Sequence, residues 1–133
     1  MNLKGFAPLL NVESVSRSIS FYRDHLGFRV SQEWEDDGRV RWASLEAASI
    51  RLMLNEPHDV DSDDRRTRRA YEDAVFYFTI EDVDSFYAHL MNSGVSVGAI
   101  ANEHYGMREF YVRDPDGYEL GFGTPISAPE PTE

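Results

Sequence analysis

The hydrophobic pattern in the first half of the chain predicts one helix among four strands. In 14–26, Val15, Ile19 and Tyr22 recur every three or four positions, as on one helix face, and Gly27 ends the helix. Period-two alternation and short apolar runs predict the strands, which are 6–12, 28–34, 39–46 and 49–55.

The second half repeats this order of elements. A helix is predicted at 82–92, with Val83, Phe86 and Leu90 inward and Gly94 after its end. The strands predicted around it are 74–80, 95–101, 108–113 and 118–122. The predicted fold class is therefore α+β: two tandem β-α-β-β-β units, each with its helix on one sheet face, the other faces forming a cleft.

Composition between and after the repeats predicts the domain organisation. We expect a single domain over 1–125, with units at approximately 5–55 and 74–124. The charged stretch 56–73 has no apolar period and is predicted to be a linker. The tail 126–133 is acidic and Pro-rich and is predicted to be disordered.

Alternation assigns each strand residue to the helix side or to the cleft. The helix side, or core, receives Pro8, Leu10, Val12, Ile50, Leu52, Leu54, Phe76, Phe78, Phe110, Val112, Leu120 and Phe122. The side chains expected in the cleft that suit ligand binding are Trp42, Arg51, Met53, Tyr77, Glu109, Tyr111 and Glu119, with Tyr105 from a loop. Val40 does not fit the alternation of its strand, and Trp34 is assigned to core or surface.

Charge and composition narrow the classes of partner. The formal net charge is −11, which disfavours nucleic acid and favours cationic ligands through the long-range field. The chain has no cysteine and no long apolar stretch, so we expect no disulfide, no membrane segment and a cytoplasmic protein.

Two segments resemble a known family. They are "SRSISFYRDHLGF" in the first unit and "REFYVRDPDGYELGF" in the second, in which Asp114-Pro115-Asp116-Gly117 is turn chemistry between two strands. With the duplicated unit, they resemble the vicinal oxygen chelate superfamily, which includes glyoxalase I, extradiol dioxygenases and bleomycin-resistance proteins. The resemblance covers roughly residues 5–124 and implies a homodimer whose two chains complete each cleft.

The same resemblance implies where a metal would bind. Enzymes of this family hold a divalent ion with His, Glu or Gln at one cleft position on each of four strands. The matching residues here are Ala7, Arg51, Val75 and Gly121, and none of them has a side chain that can donate a lone pair to a cation. We therefore expect no metal and no other cofactor.

Three functions stay open. The metal-free members that this chain resembles sequester a large cationic aromatic drug such as bleomycin. In this chain the aromatic side chains would stack on the drug, and they are Trp42, Tyr77, Tyr105 and Tyr111. Met53 would adapt to the shape of the drug, and Glu109 and Glu119 would pair with its charge. The alternative is a glyoxalase-like lyase or isomerase, or another enzyme of the superfamily, with Glu109 or Glu119 as base. The third is a carrier, immunity protein or sensor whose neutral or anionic ligand is held by Arg51.

Overall fold

In the part of the chain that the structure describes, the repeated units are observed as two four-stranded sheets, each with one helix. The computed structural model describes residues 2–57 and 74–126, and the chain divides into compact units at 1–68 and 69–133. Most of the predicted linker and tail therefore lies outside the described residues.

The first unit has the order β-α-β-β-β. Its elements are β1 (Leu9–Asn11), α1 (Val15–Asp24), β2 (Arg29–Asp36), β3 (Arg39–Ala47) and β4 (Ile50–Asn55). The sheet order is β1-β4-β3-β2, with β1 parallel to β4 and the other pairs antiparallel. Ser14 begins α1, because its Oγ accepts the N–H of Arg17 at 3.2 Å. The buried core of the first unit consists of Leu10, Val12, Val15, Ile19, Tyr22, Phe28, Ala43, Leu45, Leu52 and Leu54.

The second unit repeats the same topology. Its elements are β5 (Val75–Thr79), α2 (Val83–Asn92), β6 (Ala101–Asn102), β7 (Met107–Arg113) and β8 (Glu119–Pro125). The sheet order is β5-β8-β7-β6, with β5 parallel to β8. Its buried core consists of Val83, Leu90, Phe110, Val112, Leu120 and Phe122. Each described helix has ten residues, half of what a bilayer-crossing helix needs (about 20).

Three sequence predictions need correction. The prediction of a strand at 95–101 is wrong. Val97 forms a single bridge to Val112, and the N–H of Gly98 donates to the carbonyl of Tyr111. Regular strand pairing begins only at β6. Gly98 interrupts the strand pattern, as a glycine in a strand interior often does. The strand at 6–12 is confined to β1. Ile50, assigned to the core, is 37% exposed because it opens β4 directly after a turn.

A β-bulge explains why Val40 did not fit the alternation of β3. Trp42 lies opposite Trp34, but Val40 lies opposite Glu35, so β3 has one extra residue at Arg41. The bulge shifts the alternation before Trp42 and leaves it regular afterwards. Ala43 and Leu45 are accordingly fully buried on the helix side.

Glu56, the first residue of the predicted linker, is a buried anchor of the first unit. Its Oε1 accepts the N–H of Val15, the first residue of α1, at 3.1 Å. Its Oε2 accepts Arg39 Nε at 2.6 Å and Arg41 Nη1 at 2.8 Å. In the second unit Thr124 has the same place, since its Oγ1 accepts the N–H of Val83 at 3.0 Å. In both units, the last strand is thus tied to the start of the helix.

We predict that Glu56→Ala lowers the free energy of unfolding by about 1.5–3 kcal/mol, because hydrogen bonds to a charged, buried group are lost. Urea unfolding followed by circular dichroism measures the change. The control is Glu46→Ala, which removes the same charge from the exposed pair with Arg29 and should cost less than about 1 kcal/mol. Equal losses in the two variants would contradict the anchoring role of Glu56.

Candidate functional site

The face of the second sheet away from α2 is organised around two glycines of the central strand β8. Tyr77 of β5 and Tyr111 of β7 both lie opposite Gly121, one on each side. In the next row, Glu109 of β7 lies opposite Gly123. Direct cross-strand partners point to the same face, so these side chains share it. Phe110, Val112, Leu120 and Phe122 alternate with them and are buried on the helix side, as the sequence predicted.

Three tyrosine hydroxyls converge on the carboxylate of Glu109, which is only 3% exposed. Tyr77 donates to Oε1 at 2.7 Å, Tyr105 donates to Oε2 at 2.5 Å, and Tyr111 also donates to Oε2. Tyr105 belongs to the turn between β6 and β7, so it reaches the carboxylate from the end of the sheet. We call these four residues the tyrosine cradle.

The two glycines make the cradle possible, because the rings of Tyr77 and Tyr111 lie against β8 at these positions. A Cβ atom at Gly121 would lie 2.7 Å from Tyr111 Cε1 and 2.8 Å from Tyr77 Cδ2. A Cβ atom at Gly123 would lie 2.0 Å from the hydroxyl of Tyr77. None of these three distances is tolerated between real atoms, so any side chain at Gly121 or Gly123 displaces the rings.

Hydrogen bonding sets the protonation states of the cradle. Burial by itself would raise the pKa of Glu109, but the hydrogen bonds from Tyr105, Tyr111 and Tyr77 outweigh it and hold this pKa below its ordinary value. The hydrogen bond to Glu109, followed by burial, raises the pKa of Tyr111. Burial, followed by the same carboxylate, raises the pKa of Tyr77. At neutral pH the cradle is therefore one carboxylate anion with protonated phenols.

Glu119 lies on the same face but outside the cradle. It opposes Val75 on one side and Arg113 on the other, one row beyond Gly121. Its carboxylate is partly exposed. The second unit thus supplies five of the eight predicted site residues, of which the structure joins four by hydrogen bonds.

The other three predicted residues lie on the face of the first sheet away from α1, which we call its open face. Met53 lies opposite Ser44, and Trp42 lies opposite Asn55. Arg51 donates from Nε to the hydroxyl of Ser44 at 3.0 Å.

The sequence analysis did not assign Trp34 or Gly123 to these faces. Trp34 lies directly across the β2–β3 ladder from Trp42 and is 54% exposed, so the two indoles share one face. Gly123 extends the gap made by Gly121. Both could have been found from the sequence: Trp34 by counting back through the turn at 36–38, and Gly123 by period two from Gly121.

The family's metal positions do not fit a metal ion in this chain. Ala7, Val75 and Gly121 have no ligating atom, and Arg51 carries a permanent positive charge. A ligand side chain at Gly121 would also collide with both tyrosine rings. Among residues 2–57 and 74–126, no three His, Cys, Asp or Glu side chains lie together as a metal site requires.

Comparison with known proteins agrees with this architecture. The family model described as the Glyoxalase/Bleomycin resistance protein/Dioxygenase superfamily matches residues 6–122. The fold is shared with many solved structures, of which three are compared. They are the antibiotic-binding protein TnmS3 from a Streptomyces species (21% identity, 94% of this chain and 98% of that chain covered, TM-score 0.71), a bleomycin-binding protein complexed with bleomycin (18%, 92% and 98%, 0.67), and lactoylglutathione lyase from Agrobacterium tumefaciens (19%, 93% and 96%, 0.67). At these identities the likeness concerns the fold.

We predict that Gly121→Ala disrupts the cradle and destabilises the protein by about 1–3 kcal/mol, the usual cost of forcing an extra carbon into a packed region. Near-ultraviolet circular dichroism reports the tyrosine environment, and urea unfolding reports the stability. Gly5→Ala is the matched control, because a Cβ atom there meets nothing within 4 Å. An unchanged tyrosine signal in Gly121→Ala would contradict the close approach of the rings.

We further predict that the cradle tyrosines ionise late in an alkaline titration. Their raised pKa means that the unfolded chain loses phenol protons first, so folding stability falls as the pH rises above about 10. Tyrosinate absorbance should show the ionisation of Tyr77, Tyr105 and Tyr111 at higher pH than in the unfolded chain. Glu109→Gln should shift these three to lower pH, whereas Glu81→Gln, at an exposed glutamate outside the cradle, should not. Identical curves for wild type and Glu109→Gln would refute the assignment.

Proposed function

Because the chain belongs to the Glyoxalase/Bleomycin resistance protein/Dioxygenase superfamily, we propose that it is a metal-free small-molecule-binding protein that acts by sequestration. Its ligand is a natural product of the antibiotic type, and a cationic aromatic drug such as bleomycin is the first candidate. The fold leaves this choice open, since one fold serves many functions. Support for the proposal comes from the chemistry of the two sheet faces.

The observation that carries the proposal is the tyrosine cradle around Gly121. At the strand position where the family's enzymes place a metal ligand, this chain has a glycine crossed by two aromatic rings. Tyr77 is 40% exposed and Tyr105 is 55% exposed, so both offer ring surface above a fixed carboxylate. Aromatic surface beside a charged group suits the recognition of a flat, charged organic molecule.

The first unit supports the proposal with a second aromatic surface. Trp34 and Trp42 stand side by side on the open face, and Met53 follows on the neighbouring strand. Indole and thioether side chains bind apolar ligand groups of varied shape. Arg51 uses Nε for Ser44, and within the described residues of the first unit its terminal nitrogens stay available for an acidic ligand group.

Binding is favoured over the alternative, an enzyme of the glyoxalase type. A general base works best when its pKa lies near the operating pH. The three phenols instead hold the pKa of Glu109 low, and they already occupy most of its lone pairs. Glu109 is therefore a weak base, fixed in place and suited to holding a ligand.

We also propose that the protein is a homodimer. Leu3 and Phe6, before β1, are 90% and 87% exposed, and Trp34 is exposed on the sheet. Large apolar side chains of this kind commonly mark a surface that a partner covers. A second copy of the chain is the occupant that the family resemblance suggests.

We predict that metal-free bleomycin saturates the protein at about one drug per chain with micromolar or tighter affinity, and that it changes the emission of the two tryptophans. Trp42→Phe should remove the larger part of this emission change. Titration calorimetry is the control, because it detects binding without tryptophan. Absence of heat with folded protein would exclude the drug, and a monomeric mass by light scattering would exclude the dimer.

A further inference from the structure

We propose that the tyrosine cradle is a receptor for an N–H-bearing cation, namely a primary ammonium or a guanidinium group of the ligand. The inference rests on the proposed binding function and names the ligand chemistry for one of its surfaces. It follows from counting hydrogen-bond donors and acceptors around Glu109, and it differs from a general preference for positive charge.

All the hydroxyl protons of the cradle point inward. A phenol has one proton, and Tyr77, Tyr105 and Tyr111 each donate theirs to Glu109. Each phenol oxygen keeps acceptor capacity, and Oε1 of Glu109 accepts only one of these bonds while Oε2 accepts two. The cradle therefore presents acceptors and no hydroxyl donors to a ligand, which must bring the donors itself.

Among the described residues of the second unit, no cation pairs with the carboxylate of Glu109. Its charge is stabilised by phenol hydrogen bonds alone. The neighbouring Arg108 is held by Asp84 at 3.0 Å, and Arg113, on the same strand, donates to the carbonyl of Gly117. Glu103 lies near enough to raise the pKa of Tyr77 and Tyr105, which adds negative potential. A buried charge that is not paired favours a ligand of opposite sign.

The accessible rings restrict the ligand further. The exposed parts of Tyr77 and Tyr105 can interact with a cation through their π-faces. A quaternary ammonium would gain this attraction but has no N–H to give to the acceptors. A neutral alcohol could donate one hydrogen bond but has no charge. A primary ammonium or guanidinium satisfies both conditions, so the order of affinities among such groups tests the proposal.

The test uses the full chain and three probes of one shape: benzylammonium, benzyltrimethylammonium and benzyl alcohol. Ligand-observed NMR titration measures their affinities for wild type, Glu109→Gln and Glu81→Gln. We expect wild type to bind benzylammonium most tightly and benzyl alcohol least. Glu109→Gln should weaken benzylammonium about tenfold or more, since hydrogen bonds to a charged group are lost, while Glu81→Gln should change it less than about twofold.

If Glu109→Gln does not fold, as circular dichroism would show, Tyr105→Phe replaces it. That variant removes one phenol oxygen, and with it one acceptor of the cradle, from a residue that is 55% exposed. It should weaken benzylammonium binding about threefold while leaving benzyltrimethylammonium binding unchanged.

The outcomes separate this inference from the proposed function. Benzyl alcohol or benzyltrimethylammonium binding as tightly as benzylammonium would overturn the inference, and so would equal affinities of wild type and the substituted cradle. Bleomycin binding without any response to benzylammonium would also overturn it and leave the proposed function intact. Benzylammonium binding without bleomycin binding would support the inference and exclude the drug.

Discussion

A buried carboxylate must be satisfied by hydrogen bonds. In the second unit this carboxylate is Glu109, and three tyrosine hydroxyls satisfy it. Tyr77 comes from β5 and reaches Glu109 of β7 only by crossing β8. Tyr111 is on the same strand as Glu109, and its ring lies against β8 at Gly121. Crossing requires that β8 carry no side chain there, which Gly121 and Gly123 provide. One carboxylate thus explains the choice of residues on three strands.

The two units show how one scaffold carries different chemistry. Both tie the end of the last strand to the first helical N–H, with Glu56 in one unit and Thr124 in the other. Both bury the helix side of the sheet with aliphatic and aromatic residues. The faces away from the helices differ between the units: the first presents indoles and Arg51, and the second presents phenols around Glu109. The two units therefore keep the same packing on the helix side and differ in the side chains of the opposite sheet face, as expected when one fold carries different chemistry.

Alternation predicted which face a residue occupies but not how far its side chain reaches. The opposite sides of Phe110 and Tyr111 followed from period two, because β7 is regular. The bond from Tyr77 to Glu109 did not, because it joins different rows through a long side chain and depends on empty space above β8. Patterning also failed where backbone geometry departs from a regular strand, at the bulge beside Val40 and at Gly98.

Gly121 therefore has a positive role in addition to being a missing ligand. A glutamate there and the rings of Tyr77 and Tyr111 would claim the same volume, since even a Cβ atom lies within 3 Å of both. A metal ligand on β8 and the tyrosine cradle are mutually exclusive arrangements of one sheet. Where a metal would present a positive charge to ligand oxygens, the cradle presents a negative charge and acceptor oxygens. The side chain at position 121 therefore decides which of the two arrangements this sheet face can hold.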